Sequence, residues 1–239
     1  ENLTPLFEVL VGLTGSIKKD FSYLIVSSIS ALIVASKTEA LNVVESVSQI
    51  MLEAAQSEDN LLLQSSGIEA LGTLIKYAPE ATAEIHEQAI QLFSEACAQE
   101  ADISLFTSSI IAITNIVSIK LPAIVPIIEG VLQRTQTVMN TEKNDDTEIN
   151  DIDSAIAEAR GCCCKFITEL FKSMPEECGE IASGLATITA RLVDVEIVQK
   201  QALKAAIQIA LATLEYPGQL ISSLMASFES SNPSAVSNS

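Results

Sequence analysis

The chain has 239 residues, of which 48% are apolar but only 4% aromatic, with no Trp, nine Gly and seven Pro. An apolar supply drawn from Ala, Leu, Ile and Val, with so few turn formers, points to an all-helical protein, either one large domain or an array of smaller units. Thirteen Lys and Arg against 31 Asp and Glu give a formal charge of -18, which argues against direct nucleic-acid binding through clustered cations and favours basic partners.

Beginning at Glu1 rather than Met, the chain reads as an excerpt or a processed product, and nothing at its start combines the basic region, apolar core and small-residue cleavage site of a secretory signal. Asn2-Leu3-Thr4 is a glycosylation sequon of a kind expected by chance, whereas Asn232-Pro233-Ser234 is blocked by its proline. Apolar residues recur at three- and four-residue steps and predict helices of two alternating kinds, A and B. Helix B copies are expected at 19–36, 58–77, 103–119, 152–173 and 196–214. Helix A copies are expected between them at 40–56, 81–99, 123–138 and 177–192. No strand-like alternation competes.

Four of the B helices end alike, in "LIKYAPEA" at Pro79, "VSIKLPAI" at Pro122, "LFKSMPEE" at Pro175 and "ATLEYPGQ" at Pro217. The first and last intervals between these prolines are nearly equal, and the middle one is longer by about ten positions. Proline lacks an amide hydrogen and clashes with the preceding turn, so it stops one helix and suits the start of the next. The long middle interval contains "NTEKNDDTEINDID" (Asn140 to Asp153), an acidic run with the character of an insertion. Without it, one period of roughly 42 or 43 covers the chain, which is the period of HEAT and armadillo arrays. A proline-free copy upstream places Ile29, Leu32 and Ile33 one period before Leu71, Leu74 and Ile75. The expected fold is therefore an α-α superhelix of about five helix pairs over 1–229. The insertion is placed at 141–151, and 230–239 is expected to be a polar, disordered tail. The uncharged run Ile103 to Ile119 carries Ser104, Ser108, Asn115 and Ser118 as a polar stripe, which suits a buried helix better than a membrane span.

Chemistry is sought first in "RGCCCKF". Consecutive side chains on a helix diverge by about 100°, so Cys162, Cys163 and Cys164 cannot converge on one metal. The paired spacing that a zinc site needs is missing. An odd total of five cysteines suits a reducing compartment, and Cys178, just past the Pro175 turn, leaves a disulfide with the trio open. Cysteine as a small buried hydrophobe is the favoured reading: Cys163 falls at the small-residue position held by Gly67 and Ile110 in other copies. His86, the single histidine, is expected at a surface or interface. With no GxGxxG, P-loop, GxSxG or HExxH, neither an enzyme nor a bound cofactor is expected.

The acidic run is the most distinctive non-repetitive feature. Glu142, Asp145, Asp146, Glu148, Asp151 and Asp153 are opposed only by Lys143 and make either a solvated loop or an attractor for a basic partner. On the B helices, Glu69, Asn115, Lys165, Glu169 and Lys172 are expected on the inner face.

Family resemblance rests on these segments. "LQSSGIEAL" from Leu63 and "VQKQALKAA" from Val198 resemble the HEAT pattern of a hydrophobic-Arg pair followed by small residues, with Gln64 and Gln199 in place of Arg. Ala159-Arg160 followed by Cys163 fits it better, with Arg160 fifteen residues before Pro175 as Gln64 is before Pro79. Gln199 departs, lying eighteen before Pro217. Together with "IVPIIEGVLQRTQTV" before the insertion, and the segments Ala157 to Glu177 and Glu180 to Val193 after it, the chain resembles an internal part of the importin-β (karyopherin-β) receptors, in the branch that carries ribosomal proteins and histones. The resemblance implies shuttling between cytoplasm and nucleus, basic cargo on the inner B-helix surface, regulation by Ran-GTP, and Phe-Gly nucleoporin repeats between outer A helices. It also implies a partner-binding role for the six acids of the insertion and, on the inner face, for Glu69, Asn115 and Glu169. A structural scaffold of stacked HEAT units, of the phosphatase or chromosome-organising type, is the alternative.

Overall fold

A computed structural model describes residues 3–14, 16–36, 43–99, 102–141, 151–192 and 198–213. Within them lie ten α-helices: α1 (Thr4–Leu13), α2 (Ser22–Ser36), α3 (Val44–Ala55), α4 (Leu61–Tyr77), α5 (His86–Ala98), α6 (Ile103–Ser118), α7 (Val125–Asn140), α8 (Asp151–Ser173), α9 (Ala182–Leu192) and α10 (Gln199–Thr213). The fold is all-α, a helical repeat of five A/B pairs. Helix α1, which Pro5 starts, is the A helix of the first pair and was not among the expected elements. The expected tail at 230–239 and most of the insertion fall outside the described residues. Among the described residues no helix is long and apolar enough to cross a membrane, and the uncharged α6 is buried along most of its length.

The A helices start later than the periodicity suggests. After each of Pro79, Pro122 and Pro175 the chain first makes a short 3-10 turn, at Ala83–Ile85, Pro122–Ile124 and Pro175–Ile181, before the α-helix proper. Such turns satisfy the orphan amides where one helix stops and another begins. At α6 the stop is a left-handed Lys120 (φ 56), whose amide donates to Val117 (2.9 Å) while that of Leu121 reaches Ile116 (3.5 Å), with Pro122 next. Two other turns share a device. The Thr82 hydroxyl donates to the carbonyl of Ala78 (2.8 Å), and the Cys178 thiol to that of Met174 (3.5 Å). In both, the donor follows the proline by three residues and the acceptor immediately precedes it.

The chain forms two compact units, Glu1–Val131 and Leu132–Ser239. In the first, α4 is the hub: it packs on its own partner α3 and on the neighbouring B helices α2 and α6. Ala70, Leu71, Leu74 and Ile75 of α4 and Phe106, Ile110, Ile113 and Ile116 of α6 are fully buried. Glycine permits the closest approaches. A Cβ on Gly67 would lie 2.3 Å from the backbone nitrogen of Ala55 in α3, and one on Gly72 would lie 2.5 Å from the Cα of Ala112 in α6. In the second unit α10 packs on α8 and α9. Ala159, Cys163, Cys164, Phe166, Ile167 and Leu170 of α8 are fully buried, and Ala190 of α9 meets Ala206 and Ala210 of α10 in a cluster of small side chains.

Candidate protein-binding surface

Polar side chains tie the B helices of the first unit together. Ser27 donates to Ser66 (3.3 Å) between α2 and α4, and Ser108 to Glu69 (2.7 Å) between α6 and α4. Lys76 donates to Asn115 (3.2 Å) across the same pair. All three bridges span 39 residues, which is shorter than the repeat period. Each therefore joins a residue to one about a helical turn before its own counterpart, as neighbouring tilted helices require. Glu69 and Asn115 are thus on one half-buried face, each already engaged by a neighbour. On α8, Glu169 pairs with Lys172 (3.2 Å) and accepts from Ser173 (3.2 Å), and Lys165 is exposed. Of the acidic run, Glu142, Asp145, Asp146 and Glu148 lie outside the described residues, and Asp151 and Asp153 form the first turn of α8.

Arg160, at the position expected for the HEAT arginine, is buried and serves the fold. Its guanidinium donates from Nε to the Val138 carbonyl (3.5 Å) and from Nη2 to that of Thr141, covering the C-terminal carbonyls of α7. Gln64, its counterpart on α4, stands half-exposed.

All five cysteines are buried thiols, which closes the question of a Cys178 disulfide. Burial, with Cys162 beside it, pushes the Cys164 thiol up to about 12, and burial, with Glu177 beside it, does the same to Cys178. Neither is a ready nucleophile near neutrality. Among the described residues no three His, Cys, Asp or Glu side chains come together as a metal-ligand set. His86 is half-buried at the start of α5, with Nε2 3.1 Å from the Thr82 oxygen. Since that hydroxyl's hydrogen is committed to Ala78, Nε2 is the donor in this contact. Desolvation holds the imidazole below its ordinary pKa, against a smaller opposing effect of its hydrogen bond to the Pro79 backbone.

Two grooves that apolar spacing does not single out open on the edge where A helices turn into B helices in the first unit. One, of about 350 Å³, is lined by Asp20, Val26, Ile50, Glu53, Asp59 and Leu63 among others. The other, of about 730 Å³, is lined by Glu58, Leu61, Gln64, Leu92, Glu95 and Leu105 among others. The first has more apolar than polar wall and the second is lined mainly by polar groups; both carry an acidic rim and no basic residue among their described lining positions. The sequence carries their signal as Gln49 and Glu53, echoed one period later by Gln91 and Glu95. Paired polar residues on a solvated helix face are too common for that echo to mark a site by itself.

No family model and no curated protein matches the chain. It is similar in structure to a crystal structure described as an engineered protein, with a TM-score of 0.65 and 14% identity over 96% of this chain and 90% of that one. A second engineered protein aligns over 97% of this chain and 64% of its own, with a TM-score of 0.49 and 14% identity. At this identity the first likeness supports the helical-repeat fold alone.

Proposed function

We propose that this chain is a protein-binding helical repeat that takes basic protein segments. The observation that carries the reading is the exposed acidic rim on successive helix pairs, Asp20 and Glu53 at one groove and Glu58 and Glu95 at the next, in a chain of charge -18. Acids gathered along a groove attract cations more strongly than acids scattered over an open surface, because the low-dielectric protein beneath them focuses the field. More finely, we propose a portion of a nuclear transport receptor of importin-β type. A flexible repeat array would hold basic cargo, and Ran-GTP would stabilise a different curvature that releases it.

A pull-down tests both levels. Immobilised chain is offered a lysine-rich protein such as a histone, then washed with Ran in its GTP and GDP forms. The receptor reading expects retention of the basic protein and its release by the GTP form alone. Retention of neither histone nor Ran defeats it. The alternative is a HEAT-type scaffold, favoured by the internally bonded face on which Glu69 and Asn115 are engaged by Ser108 and Lys76. It expects a stoichiometric complex that survives Ran-GTP.

A further inference from the structure

The two acid-rimmed grooves are one groove built twice. Most of their lining positions recur one period apart, among them Glu53 and Glu95, Ala54 and Ala96, Asn60 and Asp102, and Leu63 and Leu105. Hydrogen bonds repeat with the residues. Gln49 holds Glu53 and Gln91 holds Glu95, each through Nε2 to Oε1 at 2.9 Å, which fixes the exposed carboxylate at the rim and leaves Oε2 for a ligand. Asn60 accepts from the Leu63 amide (3.1 Å) and Asp102 from the Leu105 amide (3.1 Å), so each side chain caps the B helix that opens the groove.

The electrostatics of the helix ends select a cation. The positive N-termini of α4 and α6 are covered by those caps. The negative C-termini of α3 and α5 end on the same edge, at Gln56 and Gln99, with no basic residue in either last turn. Leu63 in one groove and Leu61 and Leu92 in the other, all at least partly exposed, offer an apolar patch of the kind that accepts the aliphatic stem of a lysine or arginine while its charged head reaches the rim. Neighbouring packed helices lie about 8–10 Å apart, and a chain in the polyproline-II conformation advances about 3.1 Å per residue and returns to the same face every three residues, so one helix-pair step matches about three residues.

We propose that these grooves take two Lys or Arg side chains, three residues apart, from one basic protein segment in the polyproline-II conformation. The proposal rests on the basic-segment reading above and adds its place and its spacing rule.

Fluorescence anisotropy on the full chain tests it, with labelled peptides of one composition in which two lysines are separated by two alanines, by none or by four. The two-alanine peptide is expected to bind about fivefold tighter than the others, and Glu53→Gln with Glu95→Gln to remove that preference and weaken binding about fivefold, from two exposed ion pairs. A charge-matched control, Glu84→Gln with Glu87→Gln, is expected to change binding less than twofold, since neither acid lines a groove. Equal affinity for all spacings, or an equal loss in the control, overturns the proposal in favour of a diffuse acidic surface. Undiminished retention of a histone by the Glu53→Gln, Glu95→Gln protein alongside indifferent peptides would sink this inference and leave the broader function standing. Failure of the wild-type chain to retain any basic protein would remove both.

Discussion

Gly67 in α4 and Cys163 in α8 hold the same place in the repeat, each twelve residues before the proline that follows its helix, and they solve the same packing problem in opposite ways. At Gly67 the α4 backbone comes so close to α3 that a Cβ would overlap the main chain of Ala54 and Ala55. At Cys163 the helix stands off far enough for a whole side chain, which is fully buried. The repeat therefore fixes where two helices meet and leaves open how near they come. Interaxial distance is set by the residue at the contact, and the rest of each interface is filled to match. The turns that follow show the converse: hydroxyl at Thr82 and thiol at Cys178 differ in chemistry and make the same bond to the carbonyl before the proline.

Substitutions sharpen this contrast. Cys163→Arg forces an unpaired charge into the α8 core and is expected to cost more than about 4 kcal/mol, read as loss of the folded baseline in a urea titration. Gly67→Ala is expected to cost about 3 kcal/mol, since the obstructing atoms are backbone and cannot rotate away. Cys163→Ala removes one buried atom without a clash and is expected to cost only about 1 kcal/mol while leaving binding of basic proteins intact. Comparable losses from Gly67→Ala and Cys163→Ala would erase the distinction, and a harmless Cys163→Arg would show that the register is wrong.

Thr82→Val, which keeps the shape and removes only the turn donor, is expected to lose about 1 kcal/mol in the same titration. Cys178→Ala is expected to lose at least about 1 kcal/mol, because a buried sulfur goes together with its weaker bond to Met174. Gly161, two residues before Cys163, has open space where a Cβ would go. Gly161→Ala should raise stability by up to about 1 kcal/mol through helix propensity, the reverse of the same change at Gly67.

The smallest effect concerns pH. Desolvation lowers the folded-state pKa of His86 below 6.5, so the unfolded chain binds the proton more readily. The stability tied to neutral His86 is therefore present above 6.5 and is lost as pH falls from there through the lower folded value. A ring-proton NMR titration is expected to place the midpoint below 6.5, and a midpoint above it would show that Thr82 and the Pro79 turn stabilise the cation instead.

The helical class, the repeat and its period were legible because apolar spacing and the prolines at 79, 122 and 175 are local signals that each helix carries in its own sequence. Helix α1 was not, since a single short run has no second copy upstream to be matched against. The 3-10 starts of the A helices escaped because they depend on how the chain leaves a proline, which apolar spacing does not record. Glu69 and Asn115 were legible as polar positions on B helices, whereas their partners Ser108 and Lys76 depend on the one-turn offset between neighbouring helices, a property of packing. The grooves needed the same packing before Glu53 and Glu95 came to rim them.

The measurement that bears most directly on function is a titration of the chain with a lysine-rich histone at about 50 and about 200 mM salt, alongside a neutral protein of similar size. Opposite charges in acid-rimmed grooves predict saturable binding at low salt, weakening as screening rises, with no binding of the neutral protein. Absence of histone binding at low salt, or equal affinity for the neutral protein, would contradict the account.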